Sequence, residues 1–205
     1  MRDSDERAAQ RIVSLYEEKA LAWVKSRKRN PTLEQHWLER FEIGLQALSK
    51  ILDFGAGNGY PVAAALLNRG HKIIGVDSAA SLIRAARTSL PDAEWHVADM
   101  RRYGDERLFD GVIAWHSFFH LTQSDQRSIL PRFTQFLRPG GRLLFTSGPG
   151  PGVTIGDWEG EPLFHASLSQ EEYKSLLHEG GFDHIETKAR DPDTWGATVW
   201  LAQCR

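Results

Sequence analysis

Residues 51–77, ILDFGAGNGYPVAAALLNRGHKIIGVD, decide how this chain is read. An apolar run ends near Asp53, glycines stand at 55, 57 and 59, an Ala/Leu-rich segment runs to Gly70, and a second apolar run ends in Asp77. Two short apolar runs joined by a helix-length segment make a strand–helix–strand unit with parallel strands. Glycines directly after the first strand let backbone N–H groups approach a ligand and aim a helix N-terminus at negative charge. A tight strand-to-helix turn without a ligand would use glycines too, so spacing and flanking acids must discriminate.

The spacing is G-x-G-x-G, whereas a dinucleotide-binding turn reads G-x-G-x-x-G. A carboxylate at Asp53 sits badly beside a pyrophosphate and well beside an ammonium group. Asp77 closes the second strand, where a carboxylate can accept both ribose hydroxyls. Asp99 closes a third apolar run, AEWHVAD (93–99), and is placed to meet an adenine amino group. A nucleoside carrying a cationic amino acid satisfies all three acids, and a dinucleotide satisfies one. The chain has no G-x-x-x-x-G-K-[ST], which argues against a nucleoside-triphosphate P-loop.

Outward from this unit the alternation continues. KILDF (50–54), HKIIGVD (71–77), AEWHVAD, LFDGVIAWHS (108–117) and RLLFTS (142–147) read as strands, with helices over 60–69, 78–90 and 123–137. GPGPGVTIGDWEGEP (148–162) reads as a long loop, SLSQEEYKSLLHEGGF (167–182) as a helix with a Ser169–Glu172 capping box, and FDHIETKAR and TWGATVWLAQCR as two closing strands. The expected fold is a single α/β domain over 1–205. It has a seven-stranded, doubly wound, Rossmann-like sheet that is mostly parallel, with a C-terminal antiparallel hairpin and helices on both faces. Residues 1–49 form a helical cap, 50–147 the cofactor-binding core, and 148–205 the loop, last helix and hairpin.

The cap is read as two helices. The first carries Ala8, Ile12, Leu15, Tyr16 and Trp23 and stops at Asn30-Pro31. The second is capped by Thr32 and has Leu33, Trp37, Phe41, Ile43, Leu45 and Leu48 on its apolar side.

Composition excludes several classes. The 205 residues carry a net charge near −2, so there is no basic footprint for nucleic acid. No apolar stretch is long enough to span a bilayer, and the charged first residues hold no signal-peptide core. A single cysteine, Cys204, precludes an internal disulfide and suits a cytoplasmic location. No Cys/His spacing resembles a metal site.

The series DFGAGNG (53–59), GVDS (75–78), ADM (98–100), FDGVIAW (109–115) and LRPGGRLLF (137–145) resembles the class I S-adenosylmethionine-dependent methyltransferases, in order and at normal spacing. Ala56 stands where many members carry cysteine, which should be harmless because the backbone does the binding. The resemblance implies S-adenosylmethionine as cofactor, S-adenosylhomocysteine as product, and no metal. It implies that Asp53 lies near the methionine ammonium, with Gly55, Ala56, Gly57, Asn58 and Gly59 under the methionine part. Asp77 and Ser78 would meet the ribose, Asp99 and the Met100 backbone the adenine, and Trp115 the methionine moiety. The Asn/Asp-Pro-Pro-aromatic signature of nucleic-acid amino-methyltransferases is replaced by Trp115-His116-Ser117.

Both ends of the chain resemble a subgroup of small bacterial methyltransferases. In related small-molecule enzymes a Tyr-x-x-x-Ala-x-x-Trp helix, here Tyr16, Ala20 and Trp23, covers the cofactor; Arg27 lies on the same helical face, so Tyr16, Trp23 and Arg27 are further cofactor candidates.

Methyl transfer from a sulfonium is an in-line displacement that brings the acceptor atom to about 3 Å from the methyl, in a dry aromatic pocket. Phe118, Phe119 and His165 are substrate candidates. His116 and His165 are candidate bases, and His120 is assigned to a backbone or cofactor contact. The expected enzyme methylates nitrogen or oxygen of a small molecule, as a monomer or homodimer. The alternatives are a non-catalytic binder of the same cofactor, a macromolecule methyltransferase, and a nicotinamide-dependent oxidoreductase.

Overall fold

Alternate residues of each central strand face opposite layers, and this places the helices. The computed structural model describes residues 3–27 and 34–205; Asn30-Pro31, the Thr32 cap and Leu33 lie outside them. The strands are β1 (Lys50–Phe54), β2 (Lys72–Asp77), β3 (Glu94–Val97), β4 (Phe109–Ala114), β5 (Leu137–Ser147), β6 (Gly152–Trp158), β7 (Glu161–Ser167), β8 (Phe182–Asp191) and β9 (Ala197–Cys204). The helices are α1 (Asp3–Glu18), α2 (Ala20–Ser26), α3 (Gln35–Glu42), α4 (Val62–Asn68), α5 (Ala80–Ser89), α6 (Gln123–Ile129) and α7 (Gln170–Glu179). Seven strands form one sheet in the order β3-β2-β1-β4-β5-β9-β8, and β6 pairs with β7 separately. The first five run parallel, and β9 runs antiparallel to both β5 and β8. This is the expected seven-stranded, Rossmann-like sheet.

Leu52, Val112, Leu143 and Trp200 point into one layer, against Ile129, Phe133, Tyr173 and Leu177 from α6, the 3₁₀ segment after it, and α7. Their neighbours Ile51, Ile113, Leu144 and Leu201 point into the other, against Trp37, Phe41, Leu66 and Ile83 from α3, α4 and α5. This period-two alternation with both faces covered is what a buried parallel sheet requires. Ser169 caps α7 by accepting from the Glu172 N–H at 3.1 Å, the contact its capping-box spacing anticipates.

Three expectations change. Residues 152–167 form a β-hairpin rather than part of a loop, in register from Gly152↔Ser167 to Trp158↔Glu161. Its two turn residues, Glu159 and Gly160, both take positive φ, 55° and 79°, as a type I′ connection demands. The helix at 123–137 is α-helical only to Ile129 and then tightens into a 3₁₀ segment to Phe136, with Pro131 removing a backbone donor. Helix α3 packs against the sheet, where a Cβ on Gly111 would lie 2.4 Å from the Phe41 ring. It is not part of the roof over the strand ends, and Ile43 and Leu48 are exposed rather than on its apolar side.

Candidate functional site

In a doubly wound sheet, ligands settle beyond the C-terminal ends of the strands where the strand order reverses. Here that point lies between β1 and β4, and a cavity of about 440 Å³ opens over it. The ends of β1, β2 and β3 bring Asp53, Asp77 and Asp99 into its wall. Gly55, Ala56, Gly57, Ser78 and Met100 line it from the same side. Trp115, His116 and His120 follow from β4, and Tyr16, Trp23 and Arg27 from α1, α2 and the residue after α2.

The glycine loop is shaped by close approach. Gly55 has φ 69°, and a Cβ there would lie 2.2 Å from the Ser117 Cβ. Ser117 is itself pinned by its hydroxyl, which donates to the Phe54 carbonyl at 2.7 Å. Ser117 also lines the cavity, a residue the sequence reading passed over. Gly59 lies outside the lining and meets packing instead, since a Cβ would stand 2.6 Å from Leu90 and 2.7 Å from Trp95. Asn58 is buried beside the loop with Oδ1 unpartnered among the described residues, and it does not line the cavity.

The three acids are in different electrostatic states. Asp53 is almost fully buried, and burial, with the Asp77 charge added, pushes its pKa up to about 8. Asp77 is raised by burial too, offset by the Ala79 and Gly57 N–H groups that donate to its two oxygens at 2.8 Å each. It therefore organises the loop as well as facing the cavity. Asp99 is engaged by a neighbour: Arg101 Nε and Nη2 donate to it at 2.9 and 2.5 Å, and this pairing holds it below the usual carboxylate range despite burial. Arg101 also reaches Asp125, another cavity residue, at 3.2 Å.

The roof is α1 packed across the β6–β7 hairpin. Ala8 joins Phe164 and Ala166 in a small apolar cluster, and Arg11 pairs with Glu161 at 2.9 Å. Trp158 stacks on Tyr16 at 5.2 Å and meets Trp23 edge-on at 5.8 Å. Trp158 was not a sequence candidate; its place in a presumed loop hid it. The acids of the hairpin do not line the cavity.

His120 joins roof to floor. Its Nδ1 lies 2.8 Å from the Phe164 carbonyl, so that nitrogen carries the proton, and Nε2 accepts from the Tyr16 hydroxyl at 2.9 Å. Burial and the neighbouring His165 pull its pKa down to about 3, which keeps it in this neutral tautomer.

A second cavity of about 420 Å³ adjoins the first and, among the described residues, shares one lining residue with it, His116. Phe119 and His165 line this second space. Phe118 does not, because it is fully buried against Phe133 and Phe145 in the core. His116 sits in left-handed backbone at φ 49°, and its N–H donates to Thr146 Oγ1 at 2.8 Å. Its Nε2 is buried without a partner among the described residues. Burial, then Arg27 and His120, lowers its pKa to about 3. His116 is thus a neutral hydrogen-bonding group and a poor resting base, contrary to the expectation from an unperturbed histidine. The described residues contain no cluster able to hold a metal ion, and no helix long and apolar enough to cross a membrane.

Residues 51–141 match a family model described as a methyltransferase domain. Trans-aconitate 2-methyltransferase of Azoarcus sp. (strain BH72) is 34% identical over 103 residues, covering 49% of this chain and 40% of that protein. The Escherichia coli (strain 55989 / EAEC) protein of the same name is 31% identical over 126 residues, 56% of this chain and 48% of that one. The chain thus spans less than half the length of these two relatives. Among solved structures, 1,6-didemethyltoxoflavin-N1-methyltransferase of Burkholderia thailandensis, with its namesake and S-adenosylhomocysteine bound, superposes with TM-score 0.70 at 19% identity. It covers 100% of this chain and 91% of that one. The amino pentose methyltransferase CalS10 of Micromonospora echinaspora, bound to S-adenosylmethionine, gives TM-score 0.70 at 15% identity, covering 92% and 96%. The domain match and these relatives agree that residues 51–141 are similar to a methyltransferase domain, and the solved structures share the fold built on the same sheet.

Proposed function

We propose that this protein is a methyltransferase that takes S-adenosylmethionine into the first cavity and a small-molecule acceptor into the second, methylating the acceptor at nitrogen or oxygen. The observation that carries the reading is the pair of cavities meeting at His116, the first walled by three strand-end carboxylates.

The residues present fit the cofactor. The Asp53 carboxyl, buried and raised to about 8, has no cation against it among the described residues, and an ammonium group would supply one. Asp77 already accepts two backbone N–H groups, and each oxygen retains a lone pair for a ribose hydroxyl. Tyr16, Trp23 and Trp115 furnish aromatic faces for a sulfonium, each worth about 0.5–2 kcal/mol. Asp99 can meet an adenine amino group while it keeps Arg101.

When bound, S-adenosylmethionine supplies an electrophilic methyl group. The chain's own part is positioning and exclusion. The α1 roof keeps water from the first cavity. His116 Nε2, neutral at pH 7, holds the acceptor by its N–H or O–H and so turns a lone pair toward the shared boundary. His165, buried enough to be pulled below its ordinary value, stacks on His120 at 5.0 Å and backs the acceptor space.

Calorimetry tests the reading directly. S-adenosylmethionine and S-adenosylhomocysteine should bind with micromolar affinity and NADH should not. Asp53→Asn should weaken S-adenosylhomocysteine at least tenfold. NADH binding in preference to both sulfur compounds overturns the assignment. Binding with no methylated product across a broad acceptor panel would leave a non-catalytic cofactor-binding protein.

A further inference from the structure

The second cavity has a chemistry of its own. Among the described residues its lining contains no Lys, Arg, Asp or Glu. Three of its hydroxyls are already committed: Ser147 accepts from the Trp200 indole at 3.0 Å, Ser167 accepts from the Gly148 N–H at 2.7 Å, and Thr194 donates to the Asp191 carbonyl at 3.2 Å. Apart from Thr154, the side chains that remain include a run of rings. Trp195 lies 5.1 Å from His116, His116 lies 5.9 Å from Phe119, and Phe119 lies 5.1 Å from His165. Separations of this size are the spacing of interacting aromatic rings. The buried, unpartnered His116 Nε2 belongs to this run.

Trp195 is the unusual member. It is 65% exposed, although a tryptophan without a role is normally buried. It is also held in left-handed backbone, φ 54°, ψ 32°, which a bulky residue rarely adopts. The turn behind it is rigidly built. The Asp191 carboxylate accepts from Trp37 Nε1 at 2.7 Å and from the Asp193 N–H at 3.1 Å, and pairs with Lys188 at 2.9 Å, while the Gly196 N–H closes onto the Asp191 carbonyl at 2.9 Å. An exposed indole in strained backbone, on a turn whose frame is held by these bonds, points to a contact surface.

We propose that this cavity takes a planar, uncharged heteroaromatic acceptor bearing an N–H or O–H, stacked on Trp195 and hydrogen-bonded to His116 Nε2. A polycarboxylate would find no cation among the described lining residues, and the nearby Arg27, 6.0 Å over the Trp195 ring, is already paired with Glu34 and stacked on Trp23. A cationic acceptor would find no lining carboxylate there and would lie beside that guanidinium. The proposal names the acceptor class of the methyltransferase reading and rests on that reading only for calling the occupant an acceptor.

The test is saturation-transfer NMR on the full chain with S-adenosylhomocysteine present, using 4-hydroxyquinoline and 7-hydroxyindole as planar probes. Trans-aconitate and citrate serve as polyanions, and phenethylamine as the cation. The planar probes should bind, and Trp195→Ala should weaken them at least tenfold. Trp195→Phe, which keeps a ring, should stay within threefold of the parent. Because the indole is exposed, both variants should fold, with unchanged circular dichroism. The proposal is overturned if neither planar probe binds, if Trp195→Ala binds them as well as the parent, or if a charged compound binds more tightly. Calorimetry of S-adenosylhomocysteine alone separates the two readings: its failure removes the methyl-donor assignment, while the planar probes still decide the cavity.

Discussion

Asp53 is the residue where the chemistry is most exposed to measurement. Its folded pKa of about 8 lies well above the ordinary value of 3.8, so the native state holds a proton that the unfolded chain releases. That contribution to stability is fully present below about pH 4 and is lost as pH rises toward 8. Asp77 is shifted in the same direction and adds to it. A cationic ligand reverses the preference by favouring the carboxylate. Thermal midpoints of the free protein should therefore fall between pH 5 and 8, the increment from S-adenosylhomocysteine should grow over the same range, and Asp53→Asn should flatten both trends. A ligand-free midpoint that rises with pH would contradict the burial argument. At this scale the sequence was legible where a residue ends a strand, as Asp53, Asp77 and Asp99 do, because strand ends sit at the cavity by construction. It misled at Phe118, next in line to Phe119 but turned into the core by the 3₁₀ turn that carries both. Adjacent residues in such a turn diverge, and no periodicity announces it.

Among the elements, the hairpin of β6 and β7 changes the picture most. Its Gly/Pro start suggested a loop, and the turn residues Glu159-Gly160 are a weaker signal than Asn-Gly or Asp-Gly. The alternation of Val153 and Ile155, paired with Ala166 and Phe164, was the available clue. As a paired ribbon it carries Trp158 to Tyr16 and Glu161 to Arg11, and so fastens α1 over the first cavity. The ion pair is half exposed and contributes little by itself, so the ring stack should dominate. Trp158→Ala should speed amide exchange across 5–18 and 152–167 and raise S-adenosylhomocysteine dissociation about tenfold, the kinetic form of about 1.4 kcal/mol. Exchange confined to the hairpin, with α1 unchanged, would show that the two are not fastened together. Helix α7, by contrast, was legible because Ser169 with Glu172 and the Gly180 stop are local signals.

For the whole molecule, the mostly parallel seven-stranded sheet with its antiparallel close followed from strand–helix alternation and the two final strands, and the strand order came only with the structure. What the alternation did not reveal is how the first residues divide their labour. Helix α3 belongs to the sheet packing through Trp37 and Phe41, while α1 and α2 rest on α5 and the hairpin. Removing residues 1–27 should therefore leave the mixed α/β circular dichroism intact. It should cost about 3 kcal/mol, mainly through Leu15 with Ala8 and Ala20, and weaken cofactor binding by two orders of magnitude. A truncated chain that fails to fold would show α1 to be integral to the core. The one described residue shared by the two cavities, His116, has a further meaning at this scale. On the proposed reading, the His116 imidazole is the boundary past which the methyl group would reach. The breadth of the second room would then govern which ring systems are admitted, and the imidazole how they are turned. Acceptors of quite different outline would each be alkylated at one position, the edge they present to the imidazole.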